Sequence, residues 1–202
     1  MARLIVYYAH PGHKFSHVNR EMARVAEGVG GITFVDLYRD YPRFDIDVNL
    51  EQQRLLEHDV VLFQFPVFWY STPSILKEWQ DIVLEHGFAY GTGGEKLAGK
   101  QLMLAVTGAG PEDAYTHDGY QRYPLRTFLT PLEQTAHLCK MEFPAPYVLY
   151  SSLKAPDDGE VEPHVAGYRK LLEAIRDDRY DFAAAQIMDV VRYSSLPLTA
   201  AA

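Results

Sequence analysis

Residues 59–81 read DVVLFQFPVFWYSTPSILKEWQD. Val60 to Phe65 is an almost unbroken apolar run, the pattern of a strand buried on both faces of a parallel sheet, and Pro66 stops it. Phe68, Trp69 and Tyr70 follow as three aromatics in a loop. Thr72 then offers an N-cap and Pro73 a first-turn proline, so a helix is predicted from about Ser74 to Leu84. Ile75, Leu76, Trp79, Ile82 and Val83 fall on one face of it at helical spacing, which makes Trp79 a core residue. A buried strand therefore delivers aromatics to its carboxyl end, just before a helix N-terminus. Ligands of open α/β sheets bind at such ends.

The same alternation extends in both directions. Leu4–Ala9 reads as a first strand, His10–Ser16 as a polar loop, and His17–Gly28 as a helix with Val18, Met22, Val25 and Ala26 on one face. Ile32–Leu37 is a second strand, Tyr38–Val48 irregular, and Asn49–Glu57 a short helix capped by Asn49. After the central stretch, Gly87–Lys100 is a loop and Gln101–Thr107 a fourth strand. Pro124–Lys140 reads as a long helix that Pro131 breaks or bends. Pro146–Tyr150 is a fifth strand and Glu160–Arg176 a fifth helix. Asp181–Tyr193 has an apolar-rich helical pattern suited to packing on the body or on a partner subunit. The βα count is that of a flavodoxin-like, doubly wound parallel sheet of strand order 2-1-3-4-5. Residues 1–176 form its domain and 177–202 a helical tail.

Composition narrows the function. With 202 residues and 48% apolar content the chain fits one globular domain. Nineteen basic against 27 acidic residues give a formal charge of −8, which argues against nucleic acid and leaves no basic footprint for anionic membranes. Cys139 is the single cysteine, so no internal disulfide forms and a reducing compartment is expected. Leu4–Ala9 is too short for a signal or a membrane span, so the expected location is the cytoplasm, either free or held at the inner face of the cell membrane by a partner protein.

In the 2-1-3-4-5 order the carboxyl ends of strands one, three and four lie side by side. Their loops are His10–Asn19, Pro66–Thr72 and Thr107–Tyr115. Ser16, Asn19 and the helix N-terminus suit a phosphate, the Phe-Trp-Tyr loop suits a flat ring, and the glycine-rich turn lets backbone approach the ring's polar edge. A phosphorylated planar heterocycle has the outline of a flavin nucleotide. Taken alone, the aromatic trio fits ordinary core or a dimer interface more often than a cofactor face; its coincidence with the two other loops is the argument.

These residues also carry a resemblance. Leu4–His10 with Ser16–Asn19, Phe63–Pro66 through Trp69, Pro73–Trp79 and Gly87-Phe88-Ala89-Tyr90 resemble the flavodoxin-fold NAD(P)H:quinone oxidoreductases, including the mammalian DT-diaphorase type. Closer still are the KefF/KefG-type ancillary proteins of glutathione-regulated potassium efflux, the second type especially. Asp36-Leu37-Tyr38, Tyr41-Pro42, Asp45-Ile46-Asp47, Pro111-Glu112, Ala114-Tyr115, Arg122-Tyr123-Pro124 and Cys139 match that subgroup in order. The likeness spans roughly residues 3 to 150, on several motifs together rather than any single one.

The resemblance implies FMN, with FAD as the alternative, and NAD(P)H as co-substrate of a two-electron quinone reduction. It assigns His10, Ser16, His17, Val18 and Asn19 to the flavin phosphate, Pro66, Val67, Phe68, Trp69 and Tyr70 to the ring, and Thr107, Gly108, Ala109 and Gly110 to its polar edge. The family usually has a second threonine where this chain has Gly108. Tyr115 matches a tyrosine that assists hydride transfer; Gln121 stands where the family has a histidine, with His117 nearby. Tyr90 matches a region that closes the partner subunit's site, which implies a homodimer. Two further readings stand beside the quinone reductase: a regulatory subunit of a potassium/proton antiporter, compatible with the first, and a flavodoxin-type electron carrier. Zinc on His10, His13 and His17 is set aside because no thiol or carboxylate ligand is near. Gly94–Lys100 imitates a phosphate loop but lacks the Ser/Thr and leads into a strand.

Overall fold

The computed structural model describes residues 1–199. Five strands, β1 (Leu4–Tyr8), β2 (Thr33–Asp36), β3 (Val60–Pro66), β4 (Gln101–Thr107) and β5 (Tyr147–Leu149), form one parallel sheet in the order β2-β1-β3-β4-β5. Every residue of β1 and β3 is buried, which is why both read as continuous apolar runs rather than alternating ones. Side chains leave such a strand on opposite faces in turn. Leu4, Val6, Leu62 and Met103 pack toward α1 (Val18–Gly28) and α7 (Val161–Arg176), where Met22, Tyr168 and Leu171 meet them. Ile5, Tyr7, Phe63 and Leu104 pack on the other face against Leu55 of α3 (Val48–Glu57), Trp79 of α4 (Ser74–Val83) and Leu132 of α6 (Thr130–Leu138). The register sets Tyr8 beside Gln64 and Pro66 beside Thr107, so the carboxyl ends of β1, β3 and β4 finish close together.

Several local expectations shift. Asp47, not Asn49, caps α3, its Oδ1 accepting from the Leu50 N–H at 3.0 Å. Thr72 caps nothing, because Pro73 occupies the N-cap position of α4. The stretch after β2 is not wholly irregular: Asp36 caps a one-turn helix, α2 (Leu37–Asp40). The long helix expected over 124–140 is two, α5 (Leu125–Phe128) and α6, with the break at Leu129 because Pro131 fits only the first turn of a new helix. Pro66 is the last residue of β3 rather than its stop. Among its described residues the tail is helical only in α8 (Phe182–Gln186); beyond it the chain runs along the body, and Met188, Tyr193, Leu196 and Leu198 pack on the α1/α7 side. Residues 200–202 of the predicted tail lie outside the described residues. Among the described residues no helix is long and apolar enough to cross a membrane.

One carboxylate lies inside the α3/α4 layer. Glu51 is fully buried and takes hydrogen bonds from the Tyr41 hydroxyl (2.5 Å), the Trp79 indole Nε1–H (3.1 Å) and Arg54 Nη1 (2.5 Å). A buried charge is tolerable only with such partners, and removing it strands all three donors. Glu51→Leu is expected to destabilise the fold by about 2–4 kcal/mol in urea denaturation. A loss below ~1 kcal/mol would show that this layer rests on apolar packing alone.

Candidate functional site

The chain leaves β1 at Ala9 and re-enters helix at Val18, and the connecting loop is folded on its own side chains. His10 Nδ1 accepts the Gly12 N–H at 3.1 Å. Burial, with a smaller contribution from His13, pushes the His10 pKa down to about 4. The ring is therefore neutral at physiological pH, and with Nδ1 accepting, its proton sits on Nε2. His13 turns away, pairing with the Tyr8 hydroxyl at 2.9 Å. Ser16 Oγ accepts the Asn19 N–H at 3.0 Å, while its own hydroxyl hydrogen is left to donate. The other first-turn amides of α1 have no intrahelical acceptor, and Val18, the first residue of the helix, borders the same space as Ser16 and Asn19.

Beneath this loop runs a chain of buried polar groups. Asn19 Nδ2 donates to Thr107 Oγ1 at 2.8 Å, Gln64 Nε2 donates to the Asn19 carbonyl at 3.0 Å, and the Tyr168 hydroxyl donates to Gln64 Oε1 at 3.1 Å. Four elements, α1, β3, β4 and α7, are joined by three bonds. Asn19 Oδ1 is buried and finds no partner in the protein, an acceptor oriented for something else. Above the network is a cavity of ≈ 270 Å³, walled by His10, Ser16, His17, Val18, Asn19, Pro66, Phe68 and Thr107, together with Gly12, Ser152 and Leu153. Eight of the predicted residues thus meet in one place. Gly12, Ser152 and Leu153 were not anticipated. The last two arrive because the chain after β5 is tied to the glycine turn, Ser152 N–H donating to the Gly108 carbonyl (3.0 Å) and Ser151 N–H to that of Gly110 (2.9 Å). Gln64, the centre of the network, carried a sequence signal that was passed over: it is the one polar residue inside the run Val60–Phe65.

Val67, Trp69 and Tyr70 do not wall this cavity. Val67 packs into the core below. Phe68 and Ser71 exchange backbone hydrogen bonds (3.1 and 3.0 Å), closing a two-residue turn whose central residues, Trp69 and Tyr70, have φ of 48° and 63°. Two positive values define a type I′ turn, normally built from Asn-Gly. Bulky side chains there are strained, and Trp69 is 93% exposed. Phe68 lies edge-on to His10 at 5.6 Å, and Tyr70 packs on Phe128 at 4.8 Å.

Beside the aromatic turn stands the second half of the site. Gly108 and Gly110 leave room for two tyrosines. A β-carbon on Gly108 would lie 3.1 Å from the Tyr115 hydroxyl, and one on Gly110 would lie 2.9 Å from that of Tyr120. The Gly108 N–H is already used by the Leu149 carbonyl (2.8 Å), so this amide is not free for a ligand as the glycine-rich turn had suggested. Tyr115 is buried, its ring 5.5 Å from Tyr150, and burial raises its pKa against a hydrogen bond from the Gly110 backbone. Gln121 reaches the same turn, since a β-carbon on Gly110 would lie 3.4 Å from its Nε2. His117 is exposed and faces Tyr123 at 6.4 Å, away from the glycines. Tyr90 is half-buried with the His86 ring edge-on at 5.6 Å. Cys139 is buried in the core, where burial raises its thiol pKa.

Comparison with known proteins places this geometry. The model of the flavodoxin-like fold family matches residues 2–172. The glutathione-regulated potassium-efflux system ancillary protein KefG of Cronobacter sakazakii is 42% identical over 171 residues, covering 85% of this chain and 92% of that protein. The structure of general stress protein 14 from Treponema denticola, in complex with FMN, superposes with a TM-score of 0.79 at 32% identity, covering 86% and 99% of the two chains. An NADPH-quinone reductase from P. pentosaceus superposes with a TM-score of 0.74 at 25% identity, covering 83% and 96%. On the strand order, the loop cluster and these likenesses, the chain belongs to the flavodoxin-like fold family, in the group that includes the potassium-efflux ancillary proteins.

Proposed function

We propose that the chain binds a flavin nucleotide, FMN in preference to FAD, and uses it to pass a hydride from NAD(P)H to a quinone. The observation that carries this reading is the convergence of Ser16, His17, Asn19, Phe68 and Thr107 on one cavity at a helix N-terminus. Its donors fit a phosphate ester. The Ser16 hydroxyl, the neutral His10 Nε2–H and the first-turn amides of α1 other than that of Asn19 are available to donate, and a helix start favours negative charge. The orphaned Asn19 Oδ1 fits a sugar-alcohol hydroxyl as its donor. The FMN-bound neighbour supports the same ligand class.

A bound flavin supplies the two-electron chemistry. The protein's part is orientation and charge. Asn19, fixed by Thr107 and Gln64, would hold the tail, Phe68, Trp69 and Tyr70 would offer aromatic surface to the ring, and the Gly108–Gly110 turn, lined by Tyr115 and Tyr120, would border its polar edge. The Tyr115 hydroxyl, kept protonated by its surroundings, donates to oxygen on which negative charge develops. Gln121 orients rather than titrates, and His117, exposed beside Tyr123, would need a movement of its loop to deliver a proton. We place Tyr90 at a homodimer contact, where the partner copy would complete the ring's surroundings. A regulatory role on a potassium/proton antiporter is a second and compatible reading, favoured by the KefG likeness.

Visible spectroscopy of the purified protein loaded with FMN decides the main reading. Anaerobic NADPH or NADH should bleach the flavin band and a soluble quinone should restore it; a flavin that neither nicotinamide bleaches rules out the enzyme. Ser16→Ala is expected to weaken FMN about tenfold while leaving riboflavin, which has no phosphate, nearly unaffected; equal losses for both would move the phosphate elsewhere. Replacing Trp69-Tyr70 by Asn-Gly should relax the turn and raise unfolding free energy by about 1–2 kcal/mol. The same change should weaken FMN, and unchanged affinity would detach the aromatic turn from the site. The antiporter reading predicts co-purification with a membrane potassium/proton antiporter from the native host, and its absence under conditions that preserve the transporter would remove that reading alone.

A further inference from the structure

The segment after α7 lies beyond residues 2–172, which the family model matches, yet it reaches the outer wall of the site. Val191 bridges to the edge of β5: its N–H donates to the Pro146 carbonyl at 2.8 Å, and the Val148 N–H donates back at 3.0 Å. That pairing fixes the direction of the next residue. A turn closed by the Ser195 N–H on the Arg192 carbonyl (3.0 Å) and by the Arg192 N–H on Ser195 Oγ (3.3 Å) holds it further. The Arg192 guanidinium then lies 5.0 Å from the centre of the Tyr150 ring, and its Nη2 donates to Glu112 Oε2 at 3.1 Å.

Both of these partners are one contact from Tyr115. The Tyr150 ring is 5.5 Å from that of Tyr115, and the Glu112 carbonyl accepts the Tyr115 N–H at 3.0 Å in the 3-10 turn Glu112–Ala114. We infer that Arg192 is a positioning residue, clamping Glu112 and Tyr150 together so that the Tyr115 hydroxyl stays over the Gly108–Gly110 turn. Its bearing on hydride transfer rests on the flavin reading above; its hold on the loop does not.

The chemistry suits the task. A guanidinium is planar, so one group can stack flat on an aromatic ring and donate sideways to a carboxylate at once, whereas a compact ammonium has no flat face to stack while it donates. The Arg192 and Glu112 side chains are 34% and 60% exposed. Pairs this open contribute little to global stability. The clamp therefore acts on the segment it holds rather than on the whole fold, and local opening is where it should be read.

Amide hydrogen exchange on the flavin-free protein tests the clamp directly. Arg192→Ala is expected to speed exchange over residues 112–121 by about threefold to tenfold and leave β3 unchanged, with Arg192→Lys between the two. Glu112→Gln, which breaks the pair without touching the tail, should loosen the same stretch. Unchanged exchange over 112–121 in both Arg192→Ala and Glu112→Gln overturns the inference, whatever the protein does with flavin. In the FMN-loaded protein, Arg192→Ala should slow anaerobic reduction by NADPH about tenfold with FMN affinity altered less than about twofold. Combined with Tyr115→Phe it should slow the reaction no further than Tyr115→Phe alone. If the two losses multiply instead, Arg192 does not act through Tyr115 and the inference falls. A wild-type protein that takes up no flavin would end the functional reading, and the exchange arm would still decide the clamp.

Discussion

The site depends on a buried amide. Gln64 stands near the carboxyl end of the central strand, fully buried, and its side chain is satisfied by protein groups. It gives its N–H to the Asn19 backbone and takes the Tyr168 hydroxyl, and Asn19 in turn grips Thr107. A lost partner in such a network costs about 1–3 kcal/mol for each stranded group, so the four elements that carry these residues are held in one arrangement. The start of α1 cannot drift from β3 and β4 without breaking it. Hydrophobic packing on the two faces of the sheet gives the fold its stability; this polar thread gives the cavity its shape.

Against that rigid floor, the aromatic turn is built differently. Trp69 and Tyr70 occupy backbone conformations that Asn and Gly adopt at little cost, and Trp69 is left almost wholly in solvent. Turn propensity accounts for neither residue, and packing does not account for Trp69. Tyr70 has Phe128 to pack on, but among the described residues Trp69 has no such partner, and strain at an exposed aromatic is an indicator of a surface meant to be covered. The two halves of the candidate site are therefore built differently: a floor fixed by buried hydrogen bonds, and a projecting aromatic edge.

The sheet order was legible because β1, β3 and β4 are apolar along nearly their whole length, a pattern only a doubly covered parallel sheet requires. The loops that meet were legible for the same reason, since the order dictates which strand ends are neighbours. What escaped depends on partners distant in sequence. Nothing in Ser152 or Leu153 marks them as part of the cavity; they enter through backbone bonds to Gly108 and Gly110. The tail looked helical from Asp181 to Tyr193, but past Gln186 the edge of β5 offers Val191 two hydrogen bonds, and the chain turns extended to take them. Asp47 displaced Asn49 as a cap because the helix begins one residue earlier than its apolar spacing suggested. Gln121 holds the position the resemblance gives to a histidine and His117 is only near it in sequence; which of them reaches the glycine turn depends on the path of the loop.

The bridge at Val191 has a consequence for how copies of the chain can associate. β5 is the outer strand on its side of the sheet and would otherwise offer a row of unpaired main-chain groups as a template for another strand. With the tail laid against it, that border is already occupied by the chain's own residues. Sheet-to-sheet growth through β5 is thereby blocked, and the four-residue border at β2 is too short to serve well in its place. Assembly is directed instead to side-chain surfaces, which can select a partner where a bare strand border would accept almost any.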